Sequence, residues 1–152
     1  AFAVVVSLGF VAFEMKLSRD FAKAEMYQQR IAMEMGAKVS TLDVDALREG
    51  TKKVRLNEQR TRAEKWALIG RADISMLQAE NVHYQYQLGL MDENDWSVWQ
   101  HNMVWMLNTP CYRQFFERQR NAFRKNFVTE VERIYSNLTE IDCPPTSDEQ
   151  PL

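Results

Sequence analysis

Glu80 and His83 come nearest to residues that could do chemistry, in the motif Glu80-Asn81-Val82-His83. On a helix, residues three apart share a face, so this motif would set a carboxylate beside an imidazole. Two Glu-x-x-His motifs with two further glutamates build a di-metal centre in a four-helix bundle. Here the second half is absent. The chain has two histidines, and three residues before His101 stands Val98. Glu80, His83 and His101 therefore stand only as candidates for a mononuclear or intersubunit metal site. The plainer reading makes them a polar patch where two helices meet. No cofactor is expected and no catalytic residue is assigned.

The tryptophans at 66, 96, 99 and 105 would suit an aromatic pocket or a stacking surface. Their helical spacing favours core packing instead. Arg113, Arg118, Arg120, Arg124 and Lys125 alternate with aromatics, and read as a solvated helix face whose stems cover apolar surface. A further reading sets some of them, with Lys52, Lys53 and Arg55, against anionic headgroups. With 19 basic and 21 acidic residues the net charge is −2, which gives no reason to expect nucleic acid as a partner. Cys111 and Cys143 have no zinc or redox spacing; free thiols fit best, with a single disulfide left open.

The elements that must position these residues read as helices throughout. Glycine (5) and proline (4) are scarce among abundant helix formers, so the expected fold class is all-α. Residues 1–13 carry no charge. They read as part of a membrane-entering anchor over 1–15, with Phe2, Val5, Phe10 and Phe13 in contact with lipid. Lys16, Arg19 and Lys23 follow closely, and the positive-inside rule would then place the rest of the protein in the cytoplasm. From residue 16 the pattern turns amphipathic. Leu17, Phe21, Ala24, Gln28, Ile31 and Met35 mark one face of the same long N-terminal helix, with Gly36 as its stop.

A short helix over 42–50 follows, then a basic connector. Asn57 is the expected cap of a second long helix, whose seam is Ala63, Trp66, Gly70, Ile74, Leu77, Asn81, Tyr84 and Leu88. Gly89 ends it, and Asp92 caps a helix over 93–107. No charged side chain occurs between Trp96 and Tyr112, so this helix reads as the most buried. Thr109-Pro110 starts a last helix of about 28 residues, with a break near 119–122. The irregular helical bundle spans 16–140, and 141–152 has the composition of a disordered tail.

Some of these residues also carry a likeness. The run Val4 to Ala12 with Glu14, then Glu80 with Tyr84-Gln85 and Gly89-Leu90, Trp96, and Pro110 with Tyr112-Arg113 and Phe115-Phe116, resembles a group of uncharacterised bacterial proteins. Those have one N-terminal membrane span, a long helix and a small all-helical domain. The likeness covers most of residues 4–131. It implies an anchor and implies no activity.

The expected function is thus a single-pass, membrane-tethered, non-enzymatic interaction or accessory protein. Its expected partners are lipid through residues 1–13 and another protein or a second copy. The alternative is a small ligand-binding sensor or enzyme, with a Trp/His-lined pocket between the helices over 57–88 and 93–107.

Overall fold

The computed structural model describes residues 2–56, 58–109 and 112–138, with side chains described from residue 5. Among them it contains six α-helices and no strand. These are α1 (Phe2–Ser40), α2 (Val44–Leu56), α3 (Arg62–Gln87), α4 (Glu93–Leu107), α5 (Tyr112–Gln119) and α6 (Lys125–Tyr135), with a 3-10 turn at Arg120–Ala122 between the last two. The all-α class is as expected. Asn57, Pro110, both cysteines and the 141–152 tail lie outside the described residues.

One correction is central. Among the described residues, no helix is long and apolar enough to cross a membrane. The single-pass placement, the membrane-entering reading of 1–15 and the cytoplasmic side assigned with it are therefore withdrawn. Glu14 and Lys16 interrupt the apolar run, and at 1.5 Å per residue the uncharged stretch reaches only roughly 20 Å, against about 30 Å of hydrocarbon.

α1 continues past Gly36 to Ser40. A lone glycine costs a helix only about 1 kcal/mol, and tertiary contacts outweigh it. Met35 packs against the core, and Lys38 forms an ion pair with Asp73 of α3. The helix ends where Ser40 and Thr41 hydroxyls bond back to the carbonyls of Ala37 and Lys38.

α3 is the hub, in contact with α1, α2, α4, α5 and α6. Its capping box joins the Thr61 hydroxyl to the Glu64 N–H and the Glu64 carboxylate to the Thr61 N–H. Its buried residues fall on every side, among them Ala67, Ala72, Met76, Ala79, Val82 and His83. The single seam expected of this helix is thus replaced by burial on several sides, and α3 rather than α4 is the most enclosed helix. Small residues allow this. A methyl group on Gly50 of α2 would meet Glu64 Cβ and its carbonyl oxygen at 3.2 Å, and one on Gly70 would meet Leu42 at 3.2 Å. α2 is further tied down by Lys53, whose Nζ lies 2.7 Å from Glu64 Oε1.

Gly89 adopts φ +71° and turns the chain out of α3. Asp92 then caps α4 by accepting from the Asp95 N–H at 2.9 Å. The core lies where α3 meets α1, α4, α5 and α6. Ile31, Met76, Met103, Leu107, Phe116, Phe127 and Val131 are its most enclosed large side chains. Each stabilises the fold by roughly 1.5–3 kcal/mol through burial.

Candidate functional site

Glu80 and His83 do project from one side of α3 into the bundle, and both are buried. They serve different clusters. The Tyr27 hydroxyl of α1 donates to Glu80 Oε2 at 2.7 Å, and the Arg124 backbone N–H donates to Glu80 Oε1 at 2.7 Å. The Arg124 guanidinium lies 4.0 Å above the Tyr27 ring and 3.8 Å above that of Tyr84. The two tyrosines meet edge to face at 4.8 Å.

Arg124 is the N-cap residue of α6, and its own side chain makes no capping bond. Glu80 takes that place from another helix. Its carboxylate receives the cap N–H and sets a negative charge at the positive end of the α6 dipole. Burial, reinforced by Glu80, raises the Tyr27 hydroxyl well above the usual tyrosine range. Tyr27 therefore stays protonated and donates. The arrangement is a bolt through α1, α3 and α6.

His83 lies between aromatic rings. Its centroid is 5.2 Å from that of Trp96 and 5.7 Å from that of Phe127. Tyr86 stacks on the other part of this junction, 5.2 Å from Trp96 at 14°. Rings thus pack the α3–α4–α6 junction, where the sequence suggested a Trp/His-lined pocket. Burial holds the His83 imidazole below the usual histidine range, and Glu130 and Glu80 oppose the shift. Glu130 is itself held low, first by Arg133 and then by a bond from Gln100 (2.8 Å).

A pH dependence follows from His83. Protons bind more tightly to the unfolded chain, where histidine titrates near 6.5. Stability is full above that value and falls as pH drops through it toward the depressed folded value. Urea titrations between pH 8 and pH 5 should show this decline, and His83→Phe should flatten it. An unchanged slope in that variant would assign the acid sensitivity elsewhere.

His101 is exposed on α4 and does not join the other two. Among the described residues, no group of three His, Cys, Asp or Glu side chains could hold a metal ion. His101 thus stands apart from the other two candidates: Glu80 and His83 hold the bundle together, and His101 faces solvent.

Three basic residues of the last helices have partners within the chain, while Arg118 and Lys125 are exposed. Arg113 lies 5.2 Å over Tyr135, Arg120 pairs with Glu132, and Arg124 belongs to the bolt. An open groove of about 520 Å³ runs along α2, lined by Arg48, Thr51, Lys52, Arg55 and Leu56. These residues lie on a single helix face, and no polar group is buried in it.

The surface is more informative. Val5, Phe10 and Phe13 are exposed, the two phenylalanines at 61% and 63%; the Phe2 side chain lies outside the described residues. Every residue from 5 to 19 is exposed, so this length of α1 stands clear of the bundle. α1 first meets α3 firmly at Ala24, Tyr27 and Ile31. Leu17 and Phe21, expected on the packed face, are exposed as well. Two of the four tryptophans are also uncovered: Trp66 at 62% and Trp105 at 72%. Core packing therefore holds for Trp96 and, in part, for Trp99.

Sequence reasoning missed Tyr27 and Arg124 as the partners of Glu80. The register offered one signal: Tyr27, not Gln28, keeps step with Ala24 and Ile31. Comparison with known protein families, with characterised proteins and with solved structures finds no match.

Proposed function

We propose that this protein is a non-enzymatic helical adaptor that binds another polypeptide helix through the exposed part of α1. One observation carries the reading. A helix that is apolar all round and stands free of its own domain leaves far more apolar surface in water than a monomer normally does. Val5, Val6, Leu8, Phe10, Val11, Phe13, Met15, Leu17 and Phe21 are all exposed. Together they present on the order of 1,000 Å² of apolar area, where the largest patch of an ordinary monomer is about 300–600 Å². Burying it against a partner returns roughly 25 cal/mol per Å² before the costs of association. Trp66 and Trp105 add the residue type most often found at the centre of binding surfaces.

Site-specific photocrosslinking tests this. A photoreactive residue in place of Phe10 should give polypeptide adducts in extracts of expressing cells. The same group in place of Lys125, an exposed polar site on α6, should give few. Equal yields at both positions, or none at Phe10, would overturn the reading. Phe10→Asp combined with Phe13→Asp should lower adduct formation at a neighbouring probe on Val6 by about tenfold or more, the scale of a lost hot spot.

A further inference from the structure

We infer that α1 also pairs with α1 of a second copy, packed parallel along the face of α1 that points away from the bundle. It goes beyond the adaptor reading, because Phe10 and Phe13, on which that reading is tested, lie roughly 150° around the helix from this face.

The outward face has a register of its own. Leu8, Ala12, Met15, Ala22, Met26 and Met33 follow one another at steps that preserve a four–three rhythm, with Arg19, Gln29 and Gly36 filling the intervening positions. That rhythm is the seam of a two-stranded coiled coil. Met15 and Met33 are exposed at 70% and 71%, among the most exposed large apolar side chains of the molecule. At 100° per residue the seam lies roughly 150° around the helix from Ala24, Tyr27 and Ile31, which hold the bundle. A second α1 can therefore lie along it for about four heptads without meeting either bundle.

The charges beside the seam choose both partner and direction. One flank carries Lys16, Lys23 and Arg30; the other carries Val11, Ser18, Glu25 and Ala32. In an antiparallel pair like flanks meet, and the three cations of one copy would face the same three of the other. In a parallel pair unlike flanks meet. Glu25 of each copy then faces Arg30 of the other. In the single chain Glu25 accepts only from its neighbour Gln29 at 3.4 Å, and Arg30 rests over the Tyr27 ring at 4.9 Å. Arg19 is the one charged seam residue, beside Asp20 at 3.8 Å. A single polar or cationic seam position is a known way to fix register and strand number.

Sedimentation of the purified full chain, over a range of concentrations, tests the inference. The wild-type chain should self-associate to a dimer. Met26→Glu with Met33→Glu should weaken it by about a hundredfold, because two charges enter the seam. Gln28→Glu, exposed but off the outward face, should leave it within about threefold of wild type, as expected outside a seam. Glu25→Lys should weaken the dimer, and Glu25→Lys with Arg30→Glu should restore it. Met26→Cys, with Cys111→Ser and Cys143→Ser, should form a disulfide-linked dimer under mild oxidation, and so should Met33→Cys in the same background, because a parallel in-register pair sets every seam residue against itself, whereas an antiparallel pair does so at one point at most. A monomeric wild-type chain, a dimer indifferent to the Met26 and Met33 changes, or a dimer that the Met26→Cys or the Met33→Cys thiol fails to link would each overturn the inference. Crosslinking at Phe10 to a different polypeptide, with the purified chain monomeric, would overturn this inference and leave the adaptor reading standing.

Discussion

Phe127→Ala should lower the stability of the folded chain by about 4 kcal/mol, the middle of the range for a buried aromatic. Phe127 is fully buried. Its ring lies 5.6 Å from Phe123 and 5.7 Å from His83, so it joins the start of α6 to the middle of α3. α6 has only 11 residues, too few for an isolated helix to persist in water. Its stripe of Phe127, Val128, Val131 and Ile134 is what holds it. Removing the largest member leaves a cavity that Val131 and Met103, both fully enclosed, cannot close without moving backbone. For a chain of this size the melting temperature should drop by roughly 10 °C. Phe127→Leu, which keeps most of the volume, should cost about 1.5 kcal/mol or less. Guanidinium titrations of the three chains read both values. A loss below about 1 kcal/mol for the alanine variant would show that α6 lies outside the cooperative core.

Why some features of this fold are legible in the sequence and others are not has a physical basis. Signals that act within a few residues were readable. Asp92 caps α4 through Asp95, three residues on, and Gly89 takes the left-handed conformation that few other residues accept. The scarcity of chain breakers fixed the all-α class, and the helical break at Arg120–Ala122 fell in the expected stretch. Signals that depend on distant neighbours were not readable. Gly36 would end an isolated helix, but the Lys38–Asp73 pair carries α1 beyond it. α3 shows no clear stripe because neighbours surround it, so a seam drawn through Trp66 and Asn81 had no physical counterpart. Trp66 is exposed, and Asn81 Oδ1 is buried with no hydrogen-bond partner. The Glu-x-x-His motif has the spacing of a metal half-site. Only the fold reveals that its glutamate serves as the cap of a helix whose N-cap residue stands 44 residues later.

Glu80→Ala should cost about 3 kcal/mol, and the loss should appear in α1 as well as α6. The carboxylate accepts from Tyr27 of α1 and from the Arg124 N–H, and no local cap replaces it at α6. Alanine leaves a buried tyrosine hydroxyl without an acceptor, worth about 1–3 kcal/mol when orphaned, and a partly buried helix-start N–H that costs less. It also leaves Arg124 stacked on two rings with no carboxylate beneath it. Glu80→Gln should cost less, because the amide oxygen can still take one of the two bonds. Tyr27→Phe alone should cost about 1 kcal/mol. The informative quantity is the coupling between Tyr27→Phe and Glu80→Gln, expected near 1 kcal/mol for groups in direct contact. A coupling near zero would mean that Glu80 secures α6 alone and that α1 is held by apolar packing at Ala24 and Ile31. Amide exchange separates the two cases further. With the bolt intact, the α1 segment over 20–38 should exchange only with its neighbours in α3. In the Glu80→Ala chain that segment should open before the rest of the bundle, because the polar tie is gone while the apolar contacts of α1 are few. The outward seam of Met26 and Met33 would survive this loosening, since it lies on the far side of the helix from the bolt. Retained self-association together with lost exchange protection would therefore show that docking α1 on its own bundle and pairing it with a second copy are separable properties of opposite helix faces.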